Sequence, residues 1–321
     1  DLVGQDVDKV IAMNLDFINK FEEIITNANF ELIKAWMVVA NILAFSPQLT
    51  ENLRVASGAF GRALQGIAEA QSQEKFAFYQ AYDRLSQAVG LYYGINYFGP
   101  EAKKDVEDMV KTIISVYKDR IAKNTWLNEE TKAKAILKLK TMNVHIGYPN
   151  ELPKYYDKYK VGSYAEGSNL VLEKIKYSQL VQKENFKKYN KKPNRNLWAM
   201  PASMVNAYYQ PTNNQIVFPA AILQKPYYSL KQGRSANYGG IGAVIAHEIS
   251  HAFDNNGAKF DEFGSLKNWW TDADLKTFEE KAKDMIALFD GVESGYGPCN
   301  GTLTVSENIA DSGGIRCALE A

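Results

Sequence analysis

The chain has 321 residues, enough to bury a sizeable core and to form two domains. Hydrophobic residues make up 46% and charged residues 23%, and 37 basic residues balance 37 acidic ones. That neutrality argues against nucleic acid or an anionic membrane as the partner.

Residues 1–142 show apolar positions at helical spacing, over Asp6–Ile25, Phe30–Phe45 and Glu74–Tyr93 among others. The longest apolar run, "AWMVVANILAF" at Ala35–Phe45, is too short to span a bilayer and predicts a buried core helix. Gly99 and Pro100 open the next helix, where proline suits a first position. Val106, Met109, Val110, Ile113, Tyr117 and Ile121 form its apolar stripe. Asn128 is placed to cap a further helix, with Glu129 and Glu130 in its first turn. Pro149 and Pro153 end this helical run. The segment to Asn196 is mixed, with a strand expected at Ser168–Leu172. Its lysine-rich part, "QKENFKKYNKKPNRN", interleaves basic with polar residues and reads as a solvated face. His145, alone in an apolar-flanked segment, is expected to be structural.

"VNAYYQPTNNQIVFPAAIL" reads as a hairpin or edge strand, with turn chemistry at Pro211, Asn213 and Asn214. Gly233, Gly239, Gly240 and Gly242 follow, then "VIAHEISHAFD" at 244–254. Trp269 and Trp270 are expected to pack rather than bind. Cys299 and Cys317 are too few for a disulfide framework. Two free thiols point to a reducing compartment and a cytoplasmic location, with a secreted or cell-surface one as the alternative. No signal peptide is visible at "DLVGQDVDKV". The chain starts at Asp1 and stops within an amphipathic pattern, so a fragment of a longer protein is expected.

His247 and His251 are two of only three histidines. Residues four apart on a helix lie about 40° apart around the axis and about 6 Å along it, so both imidazoles can reach one metal ion. Glu248 stands beside them without having to ligate, and can take a proton from a water there. Zinc in a catalytic site takes three protein ligands. "SENIADSGG" at 306–314 offers the third: Glu307 as ligand, and Asp311, four further on, as acceptor for a ligand imidazole. Taken alone, those two carboxylates would be a solvated face. Asp254 is a weaker candidate for the acceptor role, and Gly313 and Gly314 are expected to turn the backbone after the helix.

"NAYYQPTNNQIVFPAAILQKPYY", "NYGGIGAVIAHEISHAFDNNGAKFDEFGSLKNWW" and "ENIADSGG" together resemble the neprilysin family of zinc metallopeptidases. The resemblance is dense from Trp198 to Ala321 and thinner before it. With two cysteines, the chain is more similar to bacterial oligoendopeptidases such as oligoendopeptidase O than to disulfide-rich animal ectoenzymes. The resemblance implies a mainly α fold with a small β-sheet: a zincin-type (thermolysin-like) catalytic domain plus a helical capping domain. The implied parts are 1–145, helical and capping; 146–197, connecting; and 198–321, zinc-binding and catalytic, truncated at its C-terminal end. It implies one Zn2+ per chain on His247, His251 and Glu307, with Glu248 as general base and Asp311 orienting a ligand histidine. Asn206 and Ala207 match the pair that holds the substrate backbone. Ile222, Tyr227, Ala243 and Val244 match the hydrophobic pocket for the residue after the scissile bond, although Tyr227 and Ala243 depart from the animal enzyme's residues there.

The implied function is a zinc-dependent endopeptidase that cleaves oligopeptides on the amino side of hydrophobic residues. Family members draw a further histidine and an arginine from beyond the "ENIAD" helix, so full activity is expected to need a further C-terminal segment. Two other readings compete: a zinc-binding surface protein that engages a partner, and a different zinc hydrolase. Glu248 argues against the first, since a scaffold needs no such carboxylate. The "NAYY" edge argues against the second.

Overall fold

Helical periodicity becomes helix through most of the chain, and among the described residues two small sheets complete a mainly α fold. The computed structural model describes residue 12 and residues 14–321. They form two units: one comprises the described residues up to Arg84 with Lys154–Lys192, the other Leu85–Pro153 with Pro193–Ala321.

In the first unit, the described part of Asp6–Ile25 forms two short helices, Leu15–Asn19 and Phe21–Ile24; residues 1–11 and 13 lie outside the description. Helix Phe30–Phe45 departs from expectation. None of its residues is buried, and Leu32 and Trp36 are about 70% exposed. Flanking 3-10 turns extend it to Asn27–Gln48, 22 residues that contain an 18-residue window with a mean hydropathy of 1.4. By length and composition alone that stretch could cross a membrane, a test that a soluble core helix also passes. The helix is longer than the apolar run Ala35–Phe45 because it also takes in Phe30–Lys34, while the flanking turns add mostly polar residues. The expectation of a buried core helix failed because no described segment packs closely enough on any of its faces to bury a residue. The strand expected at Ser168–Leu172 is instead the start of helix Leu170–Phe186. Asn169 decides this: its side chain accepts from the Leu172 amide at 3.0 Å, an N-cap that outweighs the β-propensity of Val171. The lysine-rich segment is largely exposed, and Lys187 pairs with Glu184 at 2.7 Å.

In the second unit, α1 (Gly99–Ala122) buries Val106, Met109, Val110, Ile113 and Tyr117 as its stripe predicts. Asn128 caps α2 (Glu129–Thr141), accepting from Thr131 N at 2.9 Å. Strands β1 (Asn143–Gly147), β2 (Tyr208–Gln210) and β3 (Gln215–Pro219) pair in the order β1-β3-β2. β3 runs parallel to β1 and antiparallel to β2. The β2–β3 hairpin turns through Pro211–Asn213 and through Asn214, which is left-handed at φ 42°. β3 is wholly buried, and β2 is an edge strand. Helices α3 (Ala243–Ser250), α4 (Asp272–Phe289) and α5 (Gly301–Glu320) follow. Ile113, Ile216, Phe218, Ile241, Ile245 and Ile249 belong to one core cluster. Residues 85–145, grouped by sequence with the helical part, thus share the core of the histidine helix.

His145 is structural: Nε2 lies 2.9 Å from Arg195 O, and its ring meets Trp198 edge-on. Trp269 is buried, while Trp270 stacks on Trp126 and donates to Ala258 O at 3.0 Å. Both cysteines are free. Gly313 and Gly314 do not turn the chain. They lie within α5, which runs on to Glu320. A Cβ at Gly314 would sit 2.7 Å from His247 N, and one at Gly313 would sit 2.7 Å from Ser250 Oγ. The glycines let α5 lie directly against α3.

Candidate metal centre

The histidine helix is fixed from behind. Ile245, Ala246 and Ile249 have no solvent exposure, so the remaining face carries His247 and His251. A π-helical turn, Tyr238–Gly242, leads into it, and the Ile241 amide donates to Tyr227 O at 2.9 Å. His251 stands just past the last turn, its amide donating to His247 O at 3.2 Å. The close approach at Gly314 brings the middle of α5, with Glu307 and Asp311, up to this face.

The imidazole planes are perpendicular and their Nε2 atoms are 2.9 Å apart. Glu307 Oε2 lies 3.3 Å from His247 Nε2 and 3.6 Å from His251 Nε2. Each ring turns Nδ1 to a carboxylate: His247 to Asp311 at 2.8 Å, His251 to Asp254 at 2.7 Å. A neutral imidazole held that way carries its proton on Nδ1 and a lone pair on Nε2. Two nitrogen lone pairs and a carboxylate oxygen then converge on one point. They repel one another unless a cation or a proton lies between them. Two imidazoles and a carboxylate, each histidine backed by an acceptor, are the donor set of a zinc site. The residues present therefore fit zinc.

Asp254 was underrated by sequence. It is buried, and Oδ2 accepts from Ser306 Oγ at 2.7 Å as well as from His251. Oδ1 accepts from the amides of Asn256 at 2.7 Å and Gly257 at 2.6 Å. Ser306, which sequence reasoning missed, ties the residue beside Glu307 to the carboxylate behind His251. Burial works against the Asp254 carboxylate, but donors from His251, Gly257, Ser306 and Asn256 outweigh it and hold its pKa below the ordinary value. Burial also opposes the His251 imidazolium, yet the Asp254 hydrogen bond and the charges of Glu248, Asp254 and Glu307 raise its pKa. Glu248 is itself buried, and desolvation raises its pKa; His251 and His247 pull it back only in part.

A cavity of about 430 Å³ opens over this cluster. Asn206, Ala207, Tyr208 and Tyr209 line one side, and His247, Glu248, His251 and Glu307 line the other. The predicted ligands, Glu248 and the Asn206–Ala207 pair thus meet in one cleft, with Asp311 behind it. Ile222, Tyr227, Ala243 and Val244 do not line this cavity. Ile222 is buried, Tyr227 is exposed, and Ala243 and Val244 are half-buried on the first turn of α3.

Models of peptidase family M13 match residues 1–149 and 206–321. The chain belongs to peptidase family M13. Over all 321 residues it is 50% identical to a neutral endopeptidase of Lactococcus lactis, covering 51% of that protein. The crystal structure of PEPO from Lactobacillus rhamnosis matches with a TM-score of 0.88 at 46% identity, over 94% of this chain and 47% of that one. Mycobacterium tuberculosis zinc metalloprotease Zmp1, in complex with an inhibitor, matches with a TM-score of 0.85 at 32% identity, over 95% of this chain and 46% of that one. The M13 chain described here spans about half the length of the curated relatives it matches. The ligand atoms of His247, His251 and Glu307 lie within 4.8 Å of one another and could hold a metal ion, in a family whose relatives are named for zinc.

Proposed function

We propose that the protein carrying this chain is a zinc-dependent endopeptidase acting on oligopeptides. The observation that carries this reading is Glu248, a buried carboxylate set between the metal cluster and an open strand edge in one cleft. His247, His251 and Glu307 would hold the ion. When bound, zinc supplies Lewis acidity that polarises a carbonyl and makes a water acidic near neutral pH.

The protein's own groups do the rest. An extended peptide adds to the free edge of β2, where the backbone at Asn206–Ala207 and the Asn206 side chain hold its main chain. Glu248, with its raised affinity for a proton, takes one from the attacking water and returns it to the leaving amine. Asp311 and Asp254 keep both imidazoles turned so that Nε2 faces the ion. Preference for a hydrophobic residue after the scissile bond, through Ile222, Tyr227, Ala243 and Val244, rests on the family resemblance.

Glu248→Gln in the native protein tests the assignment. It keeps the shape and removes the base, so peptide cleavage is expected to fall about 10²- to 10⁴-fold with zinc still bound. Unchanged cleavage would exclude Glu248 as the base.

A further inference from the structure

Lys138 has one of the largest fully buried side chains among the described residues, although it is charged. It lies on α2, which carries three other lysines. Its ammonium donates to Ala252 O at 2.8 Å, Gly257 O at 2.8 Å and Phe260 O at 2.6 Å. Three ammonium hydrogens thus meet three carbonyls, which satisfies the group completely. The rings of Tyr209, Phe253 and Trp269 surround it, with centroids 5.6 to 6.0 Å away. The α2 backbone is anchored in turn: Asn214 Nδ2 donates to Lys138 O at 2.9 Å.

We infer that Lys138 is a positioning residue for the metal centre, fixing the turn after the histidine helix so that Asp254 stays against His251. The turn from Ala252 to Phe260 contains Asp254 and the Asn256 and Gly257 amides that hold its Oδ1. Gly257 therefore gives its N–H to Asp254 and its carbonyl to Lys138. Ala252 lies just beyond the C-terminal end of α3, where a cation is favoured by the helix dipole. Asp254 Oδ2 is then free for His251 Nδ1 and Ser306 Oγ. Gly257 O also accepts from the Phe260 amide at 3.0 Å, so without the ammonium the Ala252 and Phe260 carbonyls lack donors and the turn must rearrange to satisfy them. Burial lowers the Lys138 pKa to about 7, against the pull of Asp254, Asp261 and Glu262.

The inference rests on the metal-site reading, not on peptidase activity, so it is tested by zinc affinity. Zinc affinity of the full chain is measured by chelator competition in wild type, Lys138→Met, Asp254→Asn and the double variant, with folding checked by circular dichroism. Each single variant is expected to bind zinc about 10-fold or more weakly, as when a ligand histidine loses its partner. The double variant should bind no more weakly than the weaker single one, because both act through Asp254. A folded Lys138→Met chain with wild-type affinity, or a double variant whose losses multiply, would overturn the inference. If Lys138→Met does not fold, Lys138→Gln, which keeps an amide donor, carries the same comparison. Failure of both to fold would overturn it too, making Lys138 a determinant of folding instead. Wild type that binds no zinc would overturn the metal site and this inference together.

Discussion

Replacing Gly314 with alanine sets helix propensity against tertiary packing. In a helix interior the change should stabilise by about 1 kcal/mol, because alanine loses less backbone entropy. In α5 the new Cβ would lie 2.7 Å from His247 N, 2.9 Å from His247 Cα and 3.2 Å from Ala246 C. Ordinary contacts need roughly 3.5 Å or more, so α5 must move from α3 by about 0.8 Å. The atoms struck are backbone and cannot rotate away, which places the overpacking cost near the upper end of about 1–3 kcal/mol. The net expectation is destabilisation by about 2 kcal/mol. Glu307 rides on α5 and moves with it, so zinc affinity should fall as well. Urea midpoints of the zinc-free chain and chelator competition measure the two effects. Gly61, in helix Ala59–Leu64 with nothing within 4 Å of a built Cβ, is the control. Gly61→Ala should stabilise by about 0.5–1 kcal/mol. A Gly314→Ala chain as stable as wild type with unchanged zinc affinity would refute the packing argument.

Asp311→Asn should weaken zinc binding about 10- to 100-fold. Because Asp311 is exposed, the zinc-free urea midpoint should hardly move; equal zinc affinity would remove Asp311 from the site. Asp274, buried in the first turn of α4, accepts from the Asn128 amide at 3.0 Å. Burial opposes its charge, but hydrogen bonds from Thr131, Asn128 and Thr271 lower its pKa. A lowered carboxylate pKa adds stability above the ordinary Asp value, and that stability is lost as pH falls through the folded value. Asp274→Asn should therefore lower the urea midpoint at neutral pH, and the gap to wild type should close on acidification below the ordinary Asp pKa. A gap independent of pH would show that the charge is not what matters.

The convergence of His247, His251 and Glu307 was legible because a spacing of four residues maps directly onto a helix face. That rule needs no tertiary knowledge, and it placed His247, His251, Glu307 and Asp311. The α1 stripe and the β2–β3 hairpin were legible on the same terms. Other features depend on what each segment meets in space. Gly313 and Gly314 read as a turn because glycine breaks helices, whereas here their missing side chains admit a second backbone. Nothing in the sequence marks Lys138 out from the other lysines of α2, and only the convergence of three distant carbonyls reveals it. Ser168–Leu172 followed β-propensity, which a single Asn169 cap overrides. Asp254 lies three residues past His251, a spacing that signals a neighbour, but its anchoring by Ser306 comes from another helix.

X-ray absorption spectroscopy of the zinc-loaded chain tests the central claim most directly. One zinc per chain, bound by two imidazole nitrogens and a carboxylate oxygen at about 2.0–2.2 Å and unaffected by removal of Cys299 and Cys317, is the predicted result. Sulfur scattering near about 2.3 Å, or fewer than two imidazoles around the ion, would contradict it.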